Sequence, residues 1–92
     1  MIARNARSRH GEIDLICLDG DAYIFVEVKT RRAGSFVAAA EAIDRRKRDR
    51  LARLALGWLA MNRKRTAPWR IVLAALTVGV DGTRVDLLEV AP

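Results

Sequence analysis

The sequence predicts an α/β fold, a mixed β-sheet with one long helix packed against one of its faces. A β-hairpin pattern comes first, over residues 12–29, followed by a helical pattern over Val37–Met61 and by a near-continuous apolar segment over residues 69–80. A helix between two strands indicates a crossover connection, which joins parallel strands, whereas a hairpin joins antiparallel ones. A sheet that contains both connections is mixed.

The hairpin is indicated by two short strand-like segments and the turn between them. Residues 12–18 and 22–29 are apolar at most positions, and the second segment is rich in β-branched and aromatic side chains. Asp19 and Gly20 form a dipeptide that is typical of tight hairpin turns. We therefore expect two antiparallel strands that are joined at this dipeptide.

The long helix is indicated by a single apolar stripe. Its positions follow the i, i+3, i+4, i+7 and i+8 spacing of a helix with one buried face: Leu51, Leu54, Ala55, Trp58 and Leu59. Ala40, Ile43 and Lys47 extend this stripe toward the N-terminus. The segment NRKRTAP, whose last residue is Pro68, is expected to end the helix.

The rest of the chain reads as two more strands. Residues 69–80, WRIVLAALTVGV, have the composition of a strand that is covered on both faces. Asp81 and Gly82 give a second turn signal, and residues 84–90 are expected to form the last strand. A chain of 92 residues supports one modest core, so residues 1–92 are expected to form a single domain.

Composition excludes several classes of protein. The chain is 51% hydrophobic and 30% charged, which is too hydrophobic for a disordered chain and ordinary for a globular domain. Its one cysteine, Cys17, excludes an intrachain disulfide and a cysteine-rich metal site. Because no segment reaches the ~18 uncharged apolar residues of a membrane span, we expect a cytoplasmic protein that makes no membrane contact.

The charge distribution favours a polyanionic partner. The formal net charge is +6, and the segment from Lys29 to Arg65 contains twelve basic residues against three acidic ones. Nucleic acid is the expected partner. The candidate contacts are five arginines near the end of the hairpin and the middle of the chain: Arg31, Arg32, Arg45, Arg46 and Arg48. The alternative is that these arginines form a solvated helix face.

Four charged residues interrupt the apolar hairpin. Because side chains alternate along a strand, Glu12 and Asp14 share one face, and Glu27 and Lys29 share one face. A two-residue loop places Glu27 opposite Glu12, and a four-residue loop places Asp14 opposite Glu27. Either loop brings the acids within about 5–8 Å of each other on one face, whereas a three-residue loop separates them.

Carboxylates that face each other across two strands repel and need a nearby positive charge. Lys29 is one source, and a divalent cation is another, with Mg²⁺ or Mn²⁺ suited to hard oxygen ligands. Such an ion activates water and stabilises charge on a phosphate, which is the chemistry of phosphodiester hydrolysis. The simpler alternatives are that Glu12 and Asp14 are surface acids, and that Glu27 and Lys29 form an ion pair worth under ~1 kcal/mol.

The same residues resemble a nuclease signature. Asp14, followed after twelve residues by Glu27-Val28-Lys29, resembles the D…ExK signature of restriction-endonuclease-like (PD-D/ExK) nucleases. The blocks GEIDLI, FVEVKTRR and AEAIDRRKRDRLARLA, in this order, resemble the bacterial YraN family, which is regarded as a family of endonucleases related to archaeal Holliday junction resolvases. The resemblance implies a restriction-endonuclease-like fold.

The resemblance also implies a role for each matching residue. Asp14 and Glu27 would be the metal-binding carboxylates, the backbone carbonyl of Val28 would be a further ligand, and Lys29 would be the catalytic lysine. The implied cofactor is Mg²⁺ or Mn²⁺.

Three further residues are accessory candidates. Glu12 and Glu41 match motif positions of the family, and Lys47 lies on the buried stripe of the helix, from which it is expected to reach toward phosphate. Relatives carry an N-terminal helix with an acidic residue, whereas here MIARN precedes the matching segment, so this helix is expected to be missing.

The predicted function is therefore a metal-dependent endonuclease that hydrolyses nucleic-acid phosphodiester bonds, with DNA favoured and branched DNA as the substrate that the resemblance suggests. The alternative is a catalytically inactive module of the same fold that binds nucleic acid or another protein. Resolvases act as dimers, so a homodimer is an expectation by analogy.

Overall fold

A computed structural model describes residues 1–9, 11–33 and 45–90 of the chain. These residues form five strands and one helix, in the order β1 (Ala3–Ser8), β2 (Gly11–Asp19), β3 (Ala22–Arg32), α1 (Arg45–Met61), β4 (Trp69–Gly79) and β5 (Gly82–Val90). The strands form one sheet in the order β1-β2-β3-β4-β5. Strands β3 and β4 are parallel and the other neighbours are antiparallel, which confirms the predicted mixed sheet.

Strand β1 was not predicted. Its sequence, ARNARS, has no apolar residue larger than alanine, and its two alanines lie three positions apart rather than two. Ala3 and Ala6 nevertheless both pack against the core. The period-2 alternation that identifies a half-buried strand is therefore absent from this strand.

The predicted helix is confirmed over Arg45–Met61, and its predicted first part, residues 37–44, lies outside the described residues. It ends at Met61, as predicted, in a Schellman motif formed by the first residues of NRKRTAP. The N–H of Lys64 donates to the carbonyl of Leu59 at 2.8 Å, and the N–H of Arg63 donates to the carbonyl of Ala60 at 3.2 Å. Arg63 adopts φ 58, the left-handed conformation that glycine usually supplies at this position.

The core lies between α1 and one face of the sheet. Its buried residues come from α1, β2, β3 and β4: Ile13, Ile16, Phe25, Leu51, Leu54, Ala55, Leu59 and Ile71. Trp58 extends this core, since its ring lies 5.5 Å from that of Tyr23 and 5.9 Å from that of Phe25. The helix therefore covers the face of β3 that carries Tyr23 and Phe25 and, farther along the strand, Glu27 and Lys29.

The register of the hairpin decides how its acids face each other. Asp19 opposes Ala22, so the turn consists of the two residues between them, one position later than predicted, and Gly20 adopts φ 62. The register is the one expected for a four-residue loop over residues 19–22, in which Leu18 opposes Tyr23. The first and last residues of that loop, Asp19 and Ala22, also pair with each other. The ladder ends at Leu15 opposite Val26, so Asp14 and Glu27 are the next residues in this register but do not form a ladder pair.

The face of the sheet opposite α1 carries exposed apolar residues at the end of β4 and on β5. Val78 is 45% exposed, Val85 55% and Leu87 69%. The prediction that β4 is covered on both faces is therefore confirmed for the face that packs against α1. It is wrong for the opposite face, on which no described helix or strand packs. None of the described helical residues form a segment that is long and apolar enough to cross a membrane.

Candidate metal and nucleic-acid site

Strands β2 and β3 separate at the predicted site. Their ladder ends at the pair Leu15 and Val26. Beyond this pair, β2 continues to pair with β1, and β3 continues to pair with β4. A gap therefore opens between β2 and β3, and Asp14 and Glu27 are the first residues on its two sides.

The side chain of Asp14 bridges this gap. Its Oδ2 accepts a 2.7 Å hydrogen bond from the backbone N–H of Val28. The carboxylate thus takes the place of the strand carbonyl that would otherwise accept from this N–H. The N–H and C=O of one strand residue point to the same edge, so the carbonyl of Val28 also faces the gap. Two of the predicted ligands, Asp14 and Val28, therefore lie together.

Asp14 lies at a kink that β2 shares with β1. The ladder between these strands includes pairs on both sides of Asn5 and Asp14, which face each other without forming a ladder pair. Asn5 adopts φ 52. This left-handed conformation is uncommon outside glycine, and asparagine tolerates it better than most residues.

The buried positions show the effect of the kink. Ile13 and Ile16 of β2 are both buried, and Ala3 and Ala6 of β1 both pack against the core. Residues three positions apart on a regular strand face opposite sides of the sheet. Here they face the same side, so the alternation of side chains is interrupted once in each strand, between Ile13 and Ile16 and between Ala3 and Ala6. The alternation of side chains therefore does not predict on which face of the sheet Asp14 lies. In the structure its carboxylate extends toward β3.

We expect Asn5→Val to lower the free energy of unfolding by about 1–2 kcal/mol, because a β-branched residue resists the left-handed conformation. Asn5→Gly is the matched control, since glycine adopts positive φ freely. Urea unfolding of the two variants measures the difference. Equal stability of the two variants would show that the kink does not depend on the conformation of Asn5.

Glu27 is paired with a residue of the helix. Nζ of Lys47 lies 3.5 Å from Oε1 of Glu27, and the two side chains are 20% and 14% exposed. Lys47 lies one turn before Leu51 on the stripe that faces the sheet. The sequence placed Lys47 on this stripe but assigned charge compensation to Lys29 or a metal, so the ion pair with Glu27 was missed.

Lys29 follows Glu27 by two residues on the same face of β3 and is exposed. In the parallel register it lies beside Ala75 of β4, a side chain too small to cover it. Its ammonium is therefore open to a ligand that approaches Glu27. Asp14, Glu27 and Val28 thus lie at the gap, Lys47 pairs with Glu27, and Lys29 follows Glu27 on the same face of β3.

The other predicted residues lie outside this group. Glu12 is on the β1 side of β2, where its Oε2 is 3.7 Å from Nε of Arg7. Glu41 lies outside the described residues. The five predicted basic contacts fall on two elements, at the end of β3 and the start of the described helix: Arg31, Arg32, Arg45, Arg46 and Arg48. Arg31 and Arg48 are half-buried, and the other three are exposed.

The oxygen atoms at the gap are of the kind that Mg²⁺ prefers. The carboxylates of Asp14 and Glu27 and the carbonyl of Val28 are hard donors. Within the described ranges, no three acidic, histidine or cysteine side chains are grouped to hold a metal ion. Magnesium sites commonly use one or two carboxylates and complete their shell with water and substrate phosphates. The donor set therefore fits a magnesium ion that is shared with a phosphate.

Comparison with known sequences gives a consistent family. The model of the uncharacterised protein family UPF0102 matches residues 1–90. The UPF0102 protein of Symbiobacterium thermophilum is 46% identical over 82 residues, which are 89% of this chain and 70% of that protein. The matches in Nocardia farcinica and Bordetella avium are 50% and 53% identical over 76% and 65% of this chain. They span 53% and 41% of those relatives, about half of their length.

Proposed function

Because the chain belongs to the uncharacterised protein family UPF0102, the YraN family, and holds two carboxylates and a lysine at a strand gap, we propose that it is a metal-dependent endonuclease. Its reaction is the hydrolysis of phosphodiester bonds in nucleic acid. The observation that carries this proposal is the hydrogen bond from the N–H of Val28 to Asp14, which holds one carboxylate in the gap beside Glu27.

The proposed roles follow from the positions of the side chains. Asp14, Glu27 and the carbonyl of Val28 would hold Mg²⁺ or Mn²⁺. When bound, this ion supplies Lewis acidity and a water of lowered pKa. Lys29, two residues from Glu27 on the same face, stabilises the charge that develops on the phosphate. Lys47 keeps the Glu27 carboxylate in place through their ion pair.

The order of the elements supports a restriction-endonuclease-like fold as part of the proposal. The hairpin of β2 and β3 carries the acids, α1 follows it, and β4 returns parallel to β3. The resemblance to resolvases is the ground for proposing DNA as the substrate, branched DNA as its preferred form, and a homodimer as the active assembly.

A nucleic-acid-binding module without catalysis is the second candidate, and one observation favours it. The ammonium of Lys47 lies 3.5 Å from the Glu27 carboxylate and balances its charge without a metal ion. In such a protein the arginines would supply phosphate contacts, which require no catalytic group.

The test is a cleavage assay on four-way junctions, flaps, linear duplex and single strands with Mg²⁺ or Mn²⁺. We expect cleavage of at least one substrate by the wild type and none by a Glu27→Gln, Lys29→Ala double variant that is purified in the same way. Equal cleavage by both proteins would identify a contaminating nuclease. Binding without cleavage on every substrate would favour the module.

A further inference from the structure

A cluster of basic and hydroxyl side chains lies on the same face of the sheet as Glu27 and Lys29. Arg31 of β3 pairs with Thr77 of β4, which pairs with Arg84 of β5. Neighbouring strands are about 4.8 Å apart, so the backbones of the two arginines are about 10 Å apart with the threonine between them. The three side chains form a row across three strands, here called the Arg-Thr-Arg row.

Both guanidinium groups of this row are held through Nε. Nε of Arg31 donates to Oγ1 of Thr77 at 3.4 Å, and Nε of Arg84 donates to Oδ2 of Asp86 at 2.9 Å. A guanidinium has five N–H donors in a rigid fork. The bond to Asp86 therefore orients Arg84 through one donor, while the edge formed by its terminal nitrogens stays available to a ligand.

The row lines an open cavity of about 770 Å³. Its walls include three arginines and two threonines, which come from the row itself and from the adjacent positions Arg32 and Thr83. The β4–β5 turn, with Val80 and Asp81, closes one side. Arg32 and Thr83 follow or precede the row by one position and alternate to the other face. The donors on this face are therefore those of the row, and Asp81 and Asp86 offset part of their positive charge.

We propose that the Arg-Thr-Arg row binds a backbone phosphate of the nucleic acid at a position away from the cleaved bond. Arginine forks and hydroxyl groups are suited to phosphate oxygens. Arg31 lies four residues beyond Glu27 on β3, about 13 Å along the strand. Successive phosphates of one duplex strand advance about 3.4 Å along the axis, so the anchored phosphate is several nucleotides from the one at Glu27.

This inference rests on the proposed function only in taking nucleic acid as the ligand. A phosphate contact fixes the position and direction of the strand and reads no sequence. The row would therefore guide the backbone along the face of the sheet toward Glu27 and Lys29, and it would do so whether or not the chain cleaves.

The test measures the binding of a short fluorescent duplex and a four-way junction in EDTA over a series of salt concentrations. We expect Arg84→Gln to lower the slope of log affinity against log salt by about 0.9, the value for one lost phosphate contact. Arg84→Lys, which keeps the charge but not the fork, is expected to restore most of the slope.

Arg70→Gln is the matched control. Arg70 forms an ion pair with Asp19 at 3.0 Å, much as Arg84 does with Asp86, but at the opposite end of the sheet. The inference is overturned if Arg70→Gln and Arg84→Gln change the slope equally, or if the wild type binds neither probe. Because no metal is present, a failure of cleavage leaves this result unaffected.

Discussion

Lys29→Ala is expected to lower the rate of phosphodiester cleavage by about 10²–10³-fold, the usual cost of removing one group that stabilises charge in the transition state. Its effect on affinity for nucleic acid is expected to be small, because the chain has seventeen basic residues and loses one of them. Lys29 is exposed on the face of β3 that carries Glu27, so its ammonium can reach a phosphate held there. The loss should fall on kcat rather than on KM.

Lys64→Ala is the control for this variant. Lys64 is an exposed lysine just beyond the end of α1, where its backbone N–H closes the Schellman motif. Its removal costs the same unit of charge and should leave kcat unchanged. If both variants raise KM alike and neither changes kcat, Lys29 is a binding residue and the proposed catalytic role is wrong.

The faces of the helix and of β3 could be predicted because each follows a simple period. The stripe through Leu51 placed Lys47 toward the sheet, and strand alternation placed Glu27 and Lys29 on one face. The ion pair between Lys47 and Glu27 required the crossing position of α1 on the sheet. No local pattern contains that position, since it depends on how the whole core packs.

The register of the hairpin could be limited but not fixed. Strand alternation allowed loops of two or four residues, and the structure has the register of the four-residue loop, with Leu18 opposite Tyr23. The sequence did not show that this pairing stops at Leu15 and Val26, just before Asp14 and Glu27. Strand β1 was missed because its core contacts are two alanines three positions apart, Ala3 and Ala6. Their spacing results from the kink at Asn5, and asparagine in a short polar segment gives no clear signal of a kink in a strand.

The Arg-Thr-Arg row shows a different limit. Arg31 was predicted to contact nucleic acid from its place in a basic segment, but Thr77 and Arg84 were not. They lie in an apolar strand and in the strand after it, far along the chain from the arginines of the helix. A parallel register between β3 and β4 is set by the crossover, so the sequence does not show which residues of β4 lie beside Arg31.

The two functions of Asp14, as a hydrogen-bond acceptor and as a carboxylate, can be separated by substitution. Asp14→Asn keeps an oxygen that can accept from the N–H of Val28 but removes the negative charge. Asp14→Ala removes both and leaves this half-buried N–H without its acceptor. An unsatisfied buried donor costs about 1–3 kcal/mol, so only the alanine variant should lose stability by that amount.

Metal binding should respond differently, because it needs the carboxylate itself. We expect Mn²⁺ titration to show weak binding by the wild type and a loss of at least about 10-fold in affinity for both Asp14 variants, because even the loss of a group that only orients a metal ligand costs about 10–100-fold. Glu12→Gln is the control, since Glu12 lies on the same strand but is directed to Arg7 at 3.7 Å. If Asp14→Asn binds Mn²⁺ as the wild type does while Asp14→Ala is destabilised, Asp14 serves to join β2 to β3, and the metal site must be sought elsewhere. If both Asp14 variants lose Mn²⁺ and only the alanine variant loses stability, the same carboxylate closes the strand gap and binds the cation, which requires that its second oxygen face the ligand while Oδ2 holds Val28.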